Sequence, residues 1–103
     1  MDYTNNDFKI VIERDGMKGY ASIHPEMYRE EDGIDFTGNW FVFLLHPELG
    51  TAHFELEQSG DEKEPWTVEN APRWIGKDII QEVTEAIEIY RLKAHLRLNE
   101  LIS

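Results

Sequence analysis

Four histidines and twenty-one carboxylates are the side chains of this chain best suited to bind a metal or move a proton, and no cysteine accompanies them. His46 and His53 stand close in the chain, with Glu55 just beyond. If residues 39–46 and 51–58 form a hairpin around Pro47-Glu48-Leu49-Gly50, His46 pairs with Thr51, Leu44 with His53 and Phe43 with Phe54. Both imidazoles then lie on one face, diagonally placed at about 7–8 Å between Cα atoms. Two imidazoles and a carboxylate are a donor set for a divalent metal. Any two surface histidines in a hairpin have a fair chance of this spacing. His46 and His53 are therefore weak metal candidates, and no metal or other cofactor is expected.

Other chemistry is harder to build. His-Pro-Glu occurs twice, as His24-Pro25-Glu26 and His46-Pro47-Glu48. Each copy follows an apolar run, where proline is expected to end a strand. The run Glu30-Glu31-Asp32, with Gly33 and Asp35, lacks the alternating acids and distal glutamate of a calcium loop and reads as a solvated loop. Ser22, Ser59 and Ser103 are the serines, and none sits in a G-x-S-x-G elbow. The glycines are scattered at turns and form no phosphate-binding loop. Cysteine nucleophiles and zinc–thiolate sites are excluded outright.

The elements that would position these residues are clearer. Phe8 to Arg14 alternates apolar and polar side chains, Asp15-Gly16 is a two-residue hairpin signal, and Met17 to His24 returns. That turn sets Glu13 against Lys18, Val11 against Tyr20 and Phe8 against Ile23. Phe8, Ile10, Ile12, Ala21 and Ile23 become the core face. Residues 25–31 are expected to make a helical turn or two, and residues 32–38 a loop. Asn39 to His46 has the composition of a central strand. In the register above, Phe41, Phe43, Leu45, Ala52, Phe54 and Leu56 join the core, and Trp40, Val42, Leu44, His46 and His53 face outward. A short fifth strand is offered by Trp66-Thr67-Val68. Asn70 is the expected N-cap and Pro72 an N-terminal proline of a long helix. The helix repeats apolar residues from Ile79 through Val83, Ile87 and Tyr90 to Leu101, with acids early and bases late.

The expected fold class is thus α+β: a four- or five-stranded antiparallel sheet of two consecutive hairpins, with one long C-terminal helix on one face. The whole chain, residues 1–103, is one domain: sheet 7–58, linker and short strand 59–70, helix about 71–101. The order of elements resembles that of several dimeric scaffolds, among them single-strand DNA-binding transcription cofactors. Those need a basic sheet face, and this chain does not supply one.

Charge and length narrow the function. With 21 acidic and 10 basic residues, the net charge is −11, the opposite of the basic excess that direct nucleic-acid binding needs. No apolar run reaches the roughly 18 residues of a membrane span. The polar start, Met1 to Asp7, lacks the basic and apolar regions of a secretory signal, so a cytoplasmic protein is expected. A 25-residue helix is roughly 37 Å long. It overhangs a sheet roughly 19 Å by 23 Å. Ile89, Leu92 and Leu96 form a second apolar stripe on that overhang, which a second copy of the chain could cover. The expected function is a small, acidic, homodimeric binding or adaptor protein. Ile89, Leu92 and Leu96 would serve dimerisation. Trp40, Val42, Leu44 and Tyr20 would form a sheet face that takes another protein, a basic one if charge steers it. The alternatives are an acidic inhibitor of a basic enzyme, of the immunity or nucleic-acid-mimic type, and a ligand-binder or enzyme with a pocket between sheet and helix.

Overall fold

A computed structural model of the chain describes the backbone of residues 7–102 and the side chains of residues 7–93. Five antiparallel strands form one meander in the order β1-β2-β3-β4-β5, and a single helix follows. The strands are β1 (Phe8–Arg14), β2 (Met17–Glu30), β3 (Gly33–His46), β4 (Gly50–Gln58) and β5 (Trp66–Glu69). The helix is α1 (Lys77–Ile102). No described helix is long and apolar enough to cross a membrane.

The first hairpin has the expected register. Asp15 and Gly16 take φ of 55° and 77°, which lets two residues close the turn. Glu13 opposes Lys18, Val11 opposes Tyr20 and Phe8 opposes Ile23. Ile12, Ala21 and Ile23 are buried, with Phe8 and Ile10 packed against them.

Residues 25–38 differ from expectation. They form neither helix nor loop; β2 and β3 continue through them as a long hairpin that turns at Glu31-Asp32. Pro25 does not stop β2: the β1–β2 ladder ends at Phe8 with Ile23, and among the described residues no strand pairs with Pro25 on that side, where a strand admits proline. A register shift between Pro25 and Met27 absorbs the irregularity. Among the described residues, the hairpin end pairs only with itself, as in Met27 with Phe36 and Tyr28 with Asp35.

The β3–β4 connection is one residue shorter than expected. His46 pairs with Gly50, leaving three loop residues, and Phe43 opposes His53 while Val42 opposes Phe54. Ala52, Phe54 and Leu56 face the core as expected, but β3 is inverted. Val42 and Leu44 are 0% and 2% exposed beneath the helix, with Trp40 also buried, whereas Phe43 and Leu45 are 52% and 59% exposed on the far side. Trp40, Val42 and Leu44 are therefore core residues and cannot form a docking face. This orientation matches the β2–β3 ladder, which pairs Ala21 with Leu44 and Ile23 with Val42, and the His46 ring sits at the same corner. It is buried, its Nδ1 accepts from the backbone N–H groups of Glu48 and Leu49, and its Nε2 donates to the Met17 carbonyl. These bonds are made within the three-residue loop, and a one-residue slip from the expected loop exchanges the faces of β3 relative to β4.

Helix α1 starts at Lys77, not near residue 71. Asn70 has a φ of 61° and caps no helix; residues 70–76 form a connection that buries Ile75. Ile79, Val83 and Ile87 lie in the core, and Tyr90 stacks on Phe8 at 4.5 Å. At the other end, Arg14 bonds Asp78 at 3.0 Å and Glu82 at 2.9 Å. The helix thus runs antiparallel to β1, pinned at both ends of that strand. The hydrogen bond from Arg14 holds the Asp78 carboxyl below its ordinary value of 3.8. A depressed carboxylate contributes stability above its unfolded pKa and loses that contribution as pH falls through the folded one. Arg14→Ala should therefore lower Tm at neutral pH by a small amount, since the bridge is solvent-exposed. The gap to wild type should close in thermal melts as the pH is taken well below 4.

Candidate functional site

The helix covers one face of the sheet and leaves the other open. Pairing puts Lys9, Ser22, Phe43 and His53 in one row across that open face, and Val11, Tyr20, Leu45 and Thr51 in the next. Val11, Tyr20, Phe43 and Leu45 are each about half exposed. Neither residues 25–38 nor residues 59–70 fold over them, because the former extend the sheet and the latter form its fifth strand and the approach to it. A shallow hollow of about 550 Å³ lies here, lined by Lys9, Tyr20, Ser22, Phe43, Leu45 and His53 among others.

Of the docking residues expected from sequence, Tyr20 lies on this face, and Trp40, Val42 and Leu44 lie beneath the sheet. The sheet also separates the two metal candidates. His53 is on the open face, with its ring 6.2 Å from that of Phe43. His46 is on the core side, with both ring nitrogens bonded to backbone. Among the described residues, no group of three or more histidines and carboxylates could hold a metal ion.

Ser22 and the neighbouring row that contains His24 hold a constellation that sequence reasoning missed. Ser22 Oγ is 2.7 Å from His24 Nε2, and His24 Nδ1 is 2.9 Å from Asp7 Oδ2. Ser22 and His24 are two apart on β2, so the pleat puts both on the open face. Asp7 lies one step beyond the last β1–β2 pair, Phe8 with Ile23, and so comes alongside His24. The His24 and Phe43 rings meet edge to face, 5.5 Å between centroids. The alternation of β2 carries the Ser22–His24 part of the signal. Expecting Pro25 to end the strand concealed the rest, because His24 then becomes a strand terminus.

The charges on the open face are unevenly placed. Lys9, Glu13 and Lys18 lie on the β1–β2 side. Glu26, Glu55, Glu57 and Glu69 line a small recess that reaches from β2 to β5. Glu55 also accepts a hydrogen bond from the Asn70 amide at 3.3 Å.

A second concavity, of about 440 Å³, opens between the long hairpin and the helix, lined by Phe36, Asn39, Trp40, Gln58, Tyr90 and Arg91 among others. Both of its walls extend beyond the level of Phe8, where β1 ends and β4 runs on to Gln58: the hairpin continues to its turn at Glu31-Asp32, and α1 continues for twelve residues after Tyr90, the residue stacked on Phe8. Those twelve residues span about 18 Å. Ile89 and Leu92 are 54% and 59% exposed on the helix, and Tyr28 and Phe36 are exposed on the hairpin. Leu96, the third residue of the expected dimer stripe, lies outside the described side chains.

No family model matches the chain, and no curated protein or solved structure is significantly similar to it.

Proposed function

We propose that the protein is a homodimeric binding module, with dimerisation through the projecting hairpin and the helix end and partner binding on the open sheet face. The observation that carries this reading is that the β2–β3 hairpin and the helix end both run on beyond the end of β1 with exposed apolar side chains. A two-stranded hairpin by itself is marginal in water. An exposed helix end with Ile89 and Leu92 forgoes about 1.5–3 kcal/mol of burial for each such side chain. A two-fold related copy would meet both needs at once, laying each hairpin against the other copy's helix. Arg91 and Lys93 on the helix would offset some of the acidic charge that two copies bring together.

Sedimentation velocity at micromolar concentration tests this. The wild type should run as a dimer. Phe36→Glu combined with Leu92→Glu should give a monomer with unchanged helix content by circular dichroism. A wild-type monomer would refute the dimer. The four glutamates beside the apolar strip support a basic segment as the bound partner. Its affinity should then weaken with added salt, since exposed charges are screened within about 10 Å at 0.1 M.

A further inference from the structure

We propose that Ser22 is an activated nucleophile, with His24 as its general base, Asp7 as the residue that positions His24, and small apolar esters as the substrate class. A serine hydroxyl is a weak nucleophile unless a base takes its proton, and the base needs a third group to hold its orientation and tautomer. All three are present. Asp7 accepts the Nδ1–H of His24, which leaves Nε2 free to accept the Ser22 proton at 2.7 Å. Ser22 and His24 are fixed relative to each other by consecutive same-face positions on a strand paired with β3 along both residues. The ring of Phe43 against His24 removes one side of the imidazole from solvent.

The hollow of about 550 Å³ begins at Ser22 and is walled by Tyr20, Phe43 and Leu45, which suits an apolar acyl group. Lys9 opposes Ser22 directly across the β1–β2 ladder and lines the same hollow. Its ammonium can face the developing oxyanion. The backbone around Ser22 is engaged by ladders on both sides, so no pair of main-chain N–H groups serves that purpose.

In the first step Ser22 Oγ bonds to the ester carbonyl carbon, its proton passes to His24 Nε2, and the carbonyl π pair becomes an oxyanion beside Lys9. Collapse of the oxyanion breaks the bond to the alkoxide, which takes the proton from His24 and leaves as the alcohol. Water then adds to the acyl-serine by the same route, giving the carboxylic acid and restoring Ser22. Losing one oxyanion-hole donor slows acyl transfer about 10²–10³-fold. Turnover should accordingly be slow, and the acyl-serine is the better readout. Esters fit such a site better than amides because the alkoxide is the easier leaving group. None of this depends on dimerisation.

The test uses the full chain with p-nitrophenyl acetate, and separately with diisopropyl fluorophosphate, followed by peptide mass mapping. Ser22 should carry the acetyl or phosphoryl group, and Ser22→Ala should lose both the adduct and the rapid release of nitrophenol. His24→Gln should slow labelling about 10²-fold, in line with the loss of a general base. Asp7→Asn should slow it as well, while Asp7→Glu should restore most of the rate, a split that a purely structural role would not give. Circular dichroism confirms that each variant is folded. A wild type that takes no label at Ser22, or a Ser22→Ala protein that releases nitrophenol at the wild-type rate, overturns the proposal.

Discussion

Phe54→Ala should destabilise the protein by about 3–5 kcal/mol, the usual effect of truncating a buried aromatic. Phe43→Ala should cost less than about 1 kcal/mol. The two phenylalanines are close in sequence and lie on neighbouring strands, and a four-residue β3–β4 loop would pair them as equals. The three-residue loop separates them. Phe54 is 1% exposed under the helix, and Phe43 is 52% exposed on the open face. Phe54 shares the core with Val42, Leu56 and Ile79. Removing its ring leaves a cavity that this small domain cannot fill by collapse, because the sheet on one side and α1 on the other are both fixed. Urea titrations with a common slope would give both values. Against a total stability of about 5–15 kcal/mol, the first substitution should bring the protein close to unfolding and the second should not. Equal losses at the two sites would mean that β3 is turned the other way, or that the open face is covered in solution.

His46→Ala should cost roughly 2–4 kcal/mol, and His46→Phe should not recover it. The ring of His46 is almost fully buried, yet its work is polar. Nε2 meets the Met17 carbonyl at 3.0 Å, and Nδ1 meets the Glu48 and Leu49 N–H groups at 3.1 Å each. The pattern calls for the neutral tautomer with the proton on Nε2. Phenylalanine fills the volume and leaves three backbone groups without their partner. Asparagine keeps an acceptor near the Nδ1 position and should recover part of the loss. If phenylalanine were tolerated within about 1 kcal/mol, His46 would be a space-filler and the loop would close for another reason. The same corner explains Gly19, which pairs with Ile12 and lies buried against β3. A Cβ there would sit 2.3 Å from the Leu45 carbonyl oxygen and 2.7 Å from His46 Cα. Both are backbone atoms, so Gly19→Ala must displace the strand that His46 anchors. Thermal melts of all four variants would show whether the corner acts as a unit.

Some of this architecture was legible in the chain because it rests on neighbours in sequence. Asp15-Gly16 and the alternation of Phe8 to Arg14 fix the first hairpin to the residue, since a two-residue turn admits one register. The spacing of Ile79, Val83 and Ile87 defines the buried stripe of α1 in the same local way. The orientation of β3 was different. Trp40, Val42 and Leu44 are as apolar as Phe41, Phe43 and Leu45, so hydrophobic alternation gave no preference. The choice is settled by pairing with β2, which sets Ala21 against Leu44 and Ile23 against Val42, and the contact between His46 and Met17, 29 residues apart, goes with it. The long β2–β3 hairpin escaped for a related reason: Pro25 reads as a strand end unless it is known that β1 has already stopped beside it. The register of the first hairpin also sets Asp7, one step past Phe8–Ile23, beside His24 on β2. Sequence by itself determined what pairing with near neighbours requires. Which β3 and β4 side chains, Phe43, Leu45 and His53, join the first hairpin on the open face was decided by strands that meet only when the whole sheet has formed.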